Sequence, residues 1–103
     1  MVKFITFAKL TQTGQVLPPE KVPTYLAKIQ EIVRTYGGKI EFMYAMSGRY
    51  DFVSLAEYSD DLSAFKARTK IMELGLFHLE STVVFPIETW MAAVAENKVL
   101  VTV

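Results

Sequence analysis

The order in which hydrophobic periodicity changes along this chain restricts its fold more than any single residue does. From Val2 to Thr11 apolar side chains recur in a two-residue rhythm, and Phe4, Ile5 and Phe7 supply β-preferring bulk. Gln12 to Pro19 contains Gly14, Pro18 and Pro19 and reads as a connecting loop. The period then becomes helical, with Val22, Tyr25, Leu26, Ile29, Ile32, Val33 and Tyr36 on one stripe until Gly37-Gly38 ends the helix. Lys39 to Met46 and Tyr50 to Tyr58 return to strand, joined across Ser47-Gly48-Arg49 by a connection short enough only for a hairpin. Asp60 and Asp61 open a second helix, where carboxylates suit the positive end. Its inward stripe is read as Leu62, Phe65, Thr69 and Met72, joined by Ala64, Ile71 and Leu74, before Gly75 stops it. His78 to Ile87 is a fourth strand, Thr89 to Glu96 a short helix, and Val99 to Val103 an extra strand.

That order, β-α-β-β-α-β with a tail, predicts an α+β ferredoxin-like sandwich. Residues 1–96 form one domain, and residues 97–103 form a C-terminal extension able to serve as an assembly strand. A chain of 103 residues leaves room for no second core. Eleven basic side chains balance eleven acidic ones, so the basic surplus that nucleic-acid binding requires is missing. The chain has no cysteine, which excludes thiolate metal sites and cysteine nucleophiles. Apolar stretches fall far short of the roughly 20 residues of a membrane helix, and the N-terminus reads as a strand and not a signal peptide. A cytoplasmic protein without nucleic-acid or membrane partners is expected.

Two helices cover one face of a four-stranded sheet, yet these strands are apolar on both parities. Val2, Phe4, Ala8 and Leu10 share one side of the first strand while Ile5 and Phe7 hold the other. Phe52 and Ala56 oppose Val53 and Leu55 in the third. In the second, Ile40, Phe42, Tyr44 and Met46 are read on one side and Met43 and Ala45 on the other. A second apolar face calls for a partner, and a homodimer or higher oligomer through the open face is the expectation.

The runs Phe4-Ile5-Thr6-Phe7-Ala8-Lys9-Leu10-Thr11, the helix entering Gly37-Gly38-Lys39, and Gly48-Arg49-Tyr50-Asp51-Phe52-Val53 together resemble the GYD-domain family. Phe85-Pro86-Ile87-Glu88-Thr89-Trp90 is similar to that family's closing strand and short helix, so the resemblance spans about residues 4 to 96. It implies a dimeric α/β-barrel, two four-stranded sheets packed face to face, and brings no established activity. The chain departs from the family pattern before its last strand: Gly75 is followed by Leu76, Phe77 and His78 where a Gly-Asn-Val-Arg-like stretch is expected. A weaker likeness is to the effector-binding domain of leucine-responsive regulators, with a Gly-x-Tyr-Asp-like hairpin and without their helix-turn-helix.

Candidate chemistry gathers at the hairpin and the fourth strand. Asp51 offers either a ligand acceptor or base, or a carboxylate bonded to backbone N–H groups beside a turn. Tyr50 adjoins it, and Arg49 could clamp a carboxylate or be merely solvated. His78, the only histidine, is either a base or a metal ligand with Glu80, or a surface residue at a strand start. Metal sites need more ligands than that pair supplies, so no metal and no cofactor are expected. Tyr44, with Phe42, Met43, Met46, Phe52 and Trp90, would line an apolar pocket between sheet and helices or simply fill the core. No nucleophile elbow or phosphate-cradling glycine loop is present. These residues favour a small oligomeric module binding an apolar or amphipathic ligand. The alternatives are a cofactor-independent oxygenase or isomerase, by analogy of fold, and a regulatory effector-binding domain.

Overall fold

A computed structural model describes the backbone of residues 1–101 and the side chains of residues 1–96. Strands β1 (Val2–Leu10), β2 (Lys39–Ala45), β3 (Phe52–Tyr58) and β4 (Phe77–Val84) form one antiparallel sheet in the order β2-β3-β1-β4. Helices α2 (Val22–Thr35) and α3 (Asp61–Met72) cover one of its faces, which gives the ferredoxin-like α+β sandwich. The predicted loop after β1 holds a one-turn helix, α1 (Gln12–Gln15), because the Thr11 hydroxyl accepts the Gly14 N–H at 3.1 Å and caps it. Gly37 takes φ 77 at the end of α2, and the Gly38 N–H returns to the Val33 carbonyl at 2.8 Å.

Register sorts the two faces. Opposed across all four strands are Ala45, Phe52, Ala8 and Leu79 on the helix side, and Tyr44, Val53, Phe7 and Glu80 on the open side. A bulge between Ile40 and Phe42 overturns the parity read for β2. Its extra residue turns Phe42 and Tyr44 to the open face, where their rings stack at 5.2 Å, while Ile40 packs on the core with the helices.

The core lies at one end of the sandwich, where Val33 of α2 and Ala64 and Ala67 of α3 close on Ala56 and Tyr58. The inward stripe of α3 is therefore Ala64, Ala67, Arg68 and Ile71, while Leu62 and Phe65 stay about 60% exposed. Both sets recur at helical spacing. Small side chains let α3 approach the sheet closely, which is why the bulkier set lost.

The chain beyond β4 departs from expectation. Pro86 cannot extend the ladder, and its carbonyl accepts the Thr89 N–H at 3.0 Å. Helix α4 then runs Ile87–Val101, so Val99 to Val101 are helical instead of forming the extra strand; Thr102 and Val103 lie outside the described residues. No glycine or proline interrupts Ile87 to Val101, and the strand preference of valine is too weak to stop an established helix. Every side chain from Phe85 to Glu96 is exposed. Among the described residues, no helix is long and apolar enough to cross a membrane.

Candidate functional site

The space between sheet and helices continues from the core toward the N-terminal half of α2, with Ala64, Phe65 and Arg68 of α3 across from it. It forms a groove of about 720 Å³. Its floor includes Ala8, Phe52 and Leu79, and one wall is Tyr25, Leu26 and Ile29. One continuous helical stripe thus does two jobs: its second half closes the core and its first half lines open space. Met43 and Phe52 border the groove from the sheet side; Tyr44 also touches its border, although the bulge turns its ring to the open face. Phe42 faces the other way, Met46 lies past the end of β2 and does not border the groove, and Trp90 sits on the exposed α4.

One polar row crosses this apolar floor. Ser54, Thr6 and Ser81 are directly opposed on β3, β1 and β4, and the hydroxyls of Thr6 and Ser81 are 2.8 Å apart. From α3, Arg68 donates through Nη2 to the Leu79 carbonyl at 3.3 Å, in the Ala8 row next to this one. Its Nε is buried and has no acceptor. Among the described residues, no carboxylate lies within 4.0 Å of its guanidinium. Sequence reasoning missed Arg68; its place in the alanine stripe, at the fourth position after Ala64, is the signal that would have found it.

The residues singled out by sequence lie elsewhere, about the hairpin and the open face. The Tyr50 hydroxyl donates to the Glu80 carboxylate, and the Tyr50 ring lies 5.0 Å from Phe7. That hydrogen bond chiefly, then burial and the Glu80 charge, raise the phenol above its ordinary range, while Arg49, 5.6 Å from the ring, pulls it back. A phenol held neutral in this way is a donor and not a base. Asp51 Oδ2 accepts the Leu10 N–H at 2.8 Å, so its carboxylate is engaged by backbone. His78 is exposed opposite Lys9, on the face away from the groove. Tyr44 shares a cross-strand row with Glu80 but is separated from it by three strand spacings, about 14 Å. Tyr50, Arg49 and Glu80 therefore come together, whereas Tyr44, Asp51 and His78 do not converge with them on one enclosed point.

The groove can desolvate an apolar molecule and the polar row can fix its orientation. Solved structures share the architecture. The leucine response regulatory protein LrpA of Mycobacterium tuberculosis superposes with a TM-score of 0.59 at 15% identity, covering 82% of this chain and 51% of that one. This chain thus spans about half the length of LrpA. FFRP-DM1 gives 0.58 at 14% identity over 82% of this chain and 100% of its own. TTHA0845 from Thermus thermophilus gives 0.57 at 18% identity over 84% and 95%. Likeness at these identities is one of fold. Comparison with curated proteins finds no match. The sequence itself matches the GYD domain across residues 4–94, from β1 through the hairpin that bears Gly48, Tyr50 and Asp51 and into α4, and the chain belongs to that family.

Proposed function

We propose that this chain is a binding domain for a small, mainly apolar molecule held in the groove, and that it works as a homodimer. The observation that carries the first part is the groove itself. Its volume of about 720 Å³ falls within the roughly 300–1,000 Å³ of small-molecule sites, and it combines an apolar lining with a few convergent polar groups. Displacement of the neutral fluorescent probe phenylnaphthylamine by decanol tests it. Saturable displacement that is lost when Ala8→Phe fills the floor is the expected result. Absence of saturable binding to the wild-type chain would remove the reading.

Surface area supports the homodimer. The single chain exposes 7475 Å², whereas a folded monomer of 11.7 kDa exposes roughly 5,900 Å². The excess, roughly 1,600 Å², is about twice the 800 Å² that one partner buries in a standard interface. It includes the open sheet face and an α4 carrying Ile87, Trp90, Met91 and Val94 in solvent. A helix of this length is marginal alone in water, so a second copy covering both surfaces stabilises it.

A regulatory effector-binding role is the second reading, supported by the fold shared with LrpA. It differs in its consequence: ligand would change the assembly state as well as occupy a site.

A further inference from the structure

We infer that the groove takes an amphipathic monocarboxylate, its hydrocarbon chain along the α2 wall and its carboxylate between Arg68 and the Thr6–Ser81 hydroxyl pair; this rests on the reading of the groove as a ligand site. The argument begins with Arg68. An arginine placed in an apolar wall ordinarily meets a carboxylate, because desolvating a guanidinium without compensation is costly. Here, among the described residues, none lies within 4.0 Å. Of its five N–H donors, Nη2 serves the Leu79 carbonyl and Nε serves nothing. The fork is anchored and its capacity is largely unused.

The hydroxyl row supplies the other half. Between Thr6 and Ser81 only one proton can lie in the shared bond, so the second hydroxyl keeps a proton to donate elsewhere. Ser54, next in the row, makes no side-chain hydrogen bond among the described residues. Leu79, which anchors Arg68, stands two residues from Ser81 on the same face of β4, about 7 Å along the strand. The Arg68 anchor and the Ser81 hydroxyl therefore border the same stretch of β4, and the hydroxyl row lies between the apolar rows of Ala8 and Phe4. Asp61 is an acidic residue that borders the groove, but it lies seven positions before Arg68 on α3, about 10 Å away along the helix axis. The middle of the floor is thus rich in donors beside one cation, with apolar rows on either side of it. A neutral lipid would leave the charge unmatched, and a phosphate dianion would meet a single cation.

Decanoate and decanol share a chain and differ in the head group, so the pair separates the two readings. In displacement of phenylnaphthylamine from the full-length protein at neutral pH, decanoate is expected to bind about ten- to a hundred-fold more tightly than decanol. Arg68→Met keeps an apolar stem of similar reach and should abolish that advantage while leaving decanol affinity within about two-fold. Arg68→Lys keeps the charge but not the fork, and should fall between them; it serves if the methionine variant does not fold. Equal affinity of the wild type for acid and alcohol would overturn the carboxylate assignment and leave the groove reading standing. Failure of probe and both ligands to bind, as when a second copy's α4 fills the groove, would overturn both.

Discussion

The carboxylate of Asp51 accepts the backbone N–H of Leu10 at 2.8 Å, just past the point where the β1–β3 ladder ends at Ala8 and Phe52. The same residue donates its own N–H to the Ala8 carbonyl at 2.9 Å and accepts the Met46 N–H at 2.8 Å on its carbonyl. One aspartate thereby ties the β2–β3 hairpin to the end of β1. Gly48 in the turn takes φ 154, a conformation that side chains rarely adopt. The signature glycine and aspartate are accounted for by backbone geometry and ladder closure.

Asp51→Ala should therefore act on stability before it acts on binding. Leaving the Leu10 N–H unpaired in a half-buried position costs about 1–3 kcal/mol. Asp51→Asn retains an acceptor oxygen and should lose clearly less. Urea denaturation of both variants checks the order; equal losses would mean that the charge and not the acceptor matters.

A second stability prediction concerns Gly38. A Cβ there would enter the space of the Tyr58 ring and the Val33 side chain, both core residues. Gly38→Ala should cost about 1–3 kcal/mol through overpacking. A shift of the tyrosine signal in near-UV circular dichroism should accompany the loss.

Much of the fold was legible because element order and period are properties of the chain itself. The sequence stripe of α2 and the cap at Asp60 appear where their spacing placed them. What was illegible depended on tertiary geometry. The bulge after Ile40 reversed the faces of Phe42 and Tyr44, and no local pattern marks it. In α3 two stripes competed, and only the sheet's proximity chose alanine over phenylalanine. That choice also hid Arg68, since a cation in a row of small residues reads as a solvated edge until the floor beneath it is known. Tyr50 and Glu80 are 30 positions apart in sequence, and only β4 beside β1 brings them into contact.

Acid should weaken the start of α3. Asp60 Oδ1 accepts the Ser63 N–H at 2.7 Å, and the backbone and side-chain hydrogen bonds of Ser63, aided by the Lys66 charge, hold its carboxyl below its ordinary value. The folded pKa is depressed, so its contribution is complete above the unfolded value of about 3.9 and disappears as pH falls through the folded one. Asp60→Asn keeps a capping oxygen without the titration. Its stability difference from wild type should shrink as pH drops from about 5 into that range, read from thermal melts. A difference independent of pH would show that the cap's charge contributes nothing.

Assembly is tested at the centre of the open face. Leu55 stands between Phe42 on β2 and Ile5 on β1, with Val53 and Phe7 in the next row. Lys3 pairs with Glu41 at 3.1 Å and Glu57 at 4.0 Å toward one end of that face, which leaves an apolar centre inside a charged rim. Wild-type protein should scatter light as a dimer. Leu55→Lys places an unpaired charge at the centre of the contact and should weaken dimerisation by about thirty-fold or more. Trp90, the only tryptophan and 58% exposed in the single chain, reports on α4 at the same time. Its emission should move to the blue as wild-type protein is concentrated and should stay red in the variant. A variant that remains dimeric with a blue-shifted Trp90 would move the interface from the sheet face to α4. A monomeric wild type would remove the assembly reading while leaving the groove and Arg68 to be judged on their own ligands.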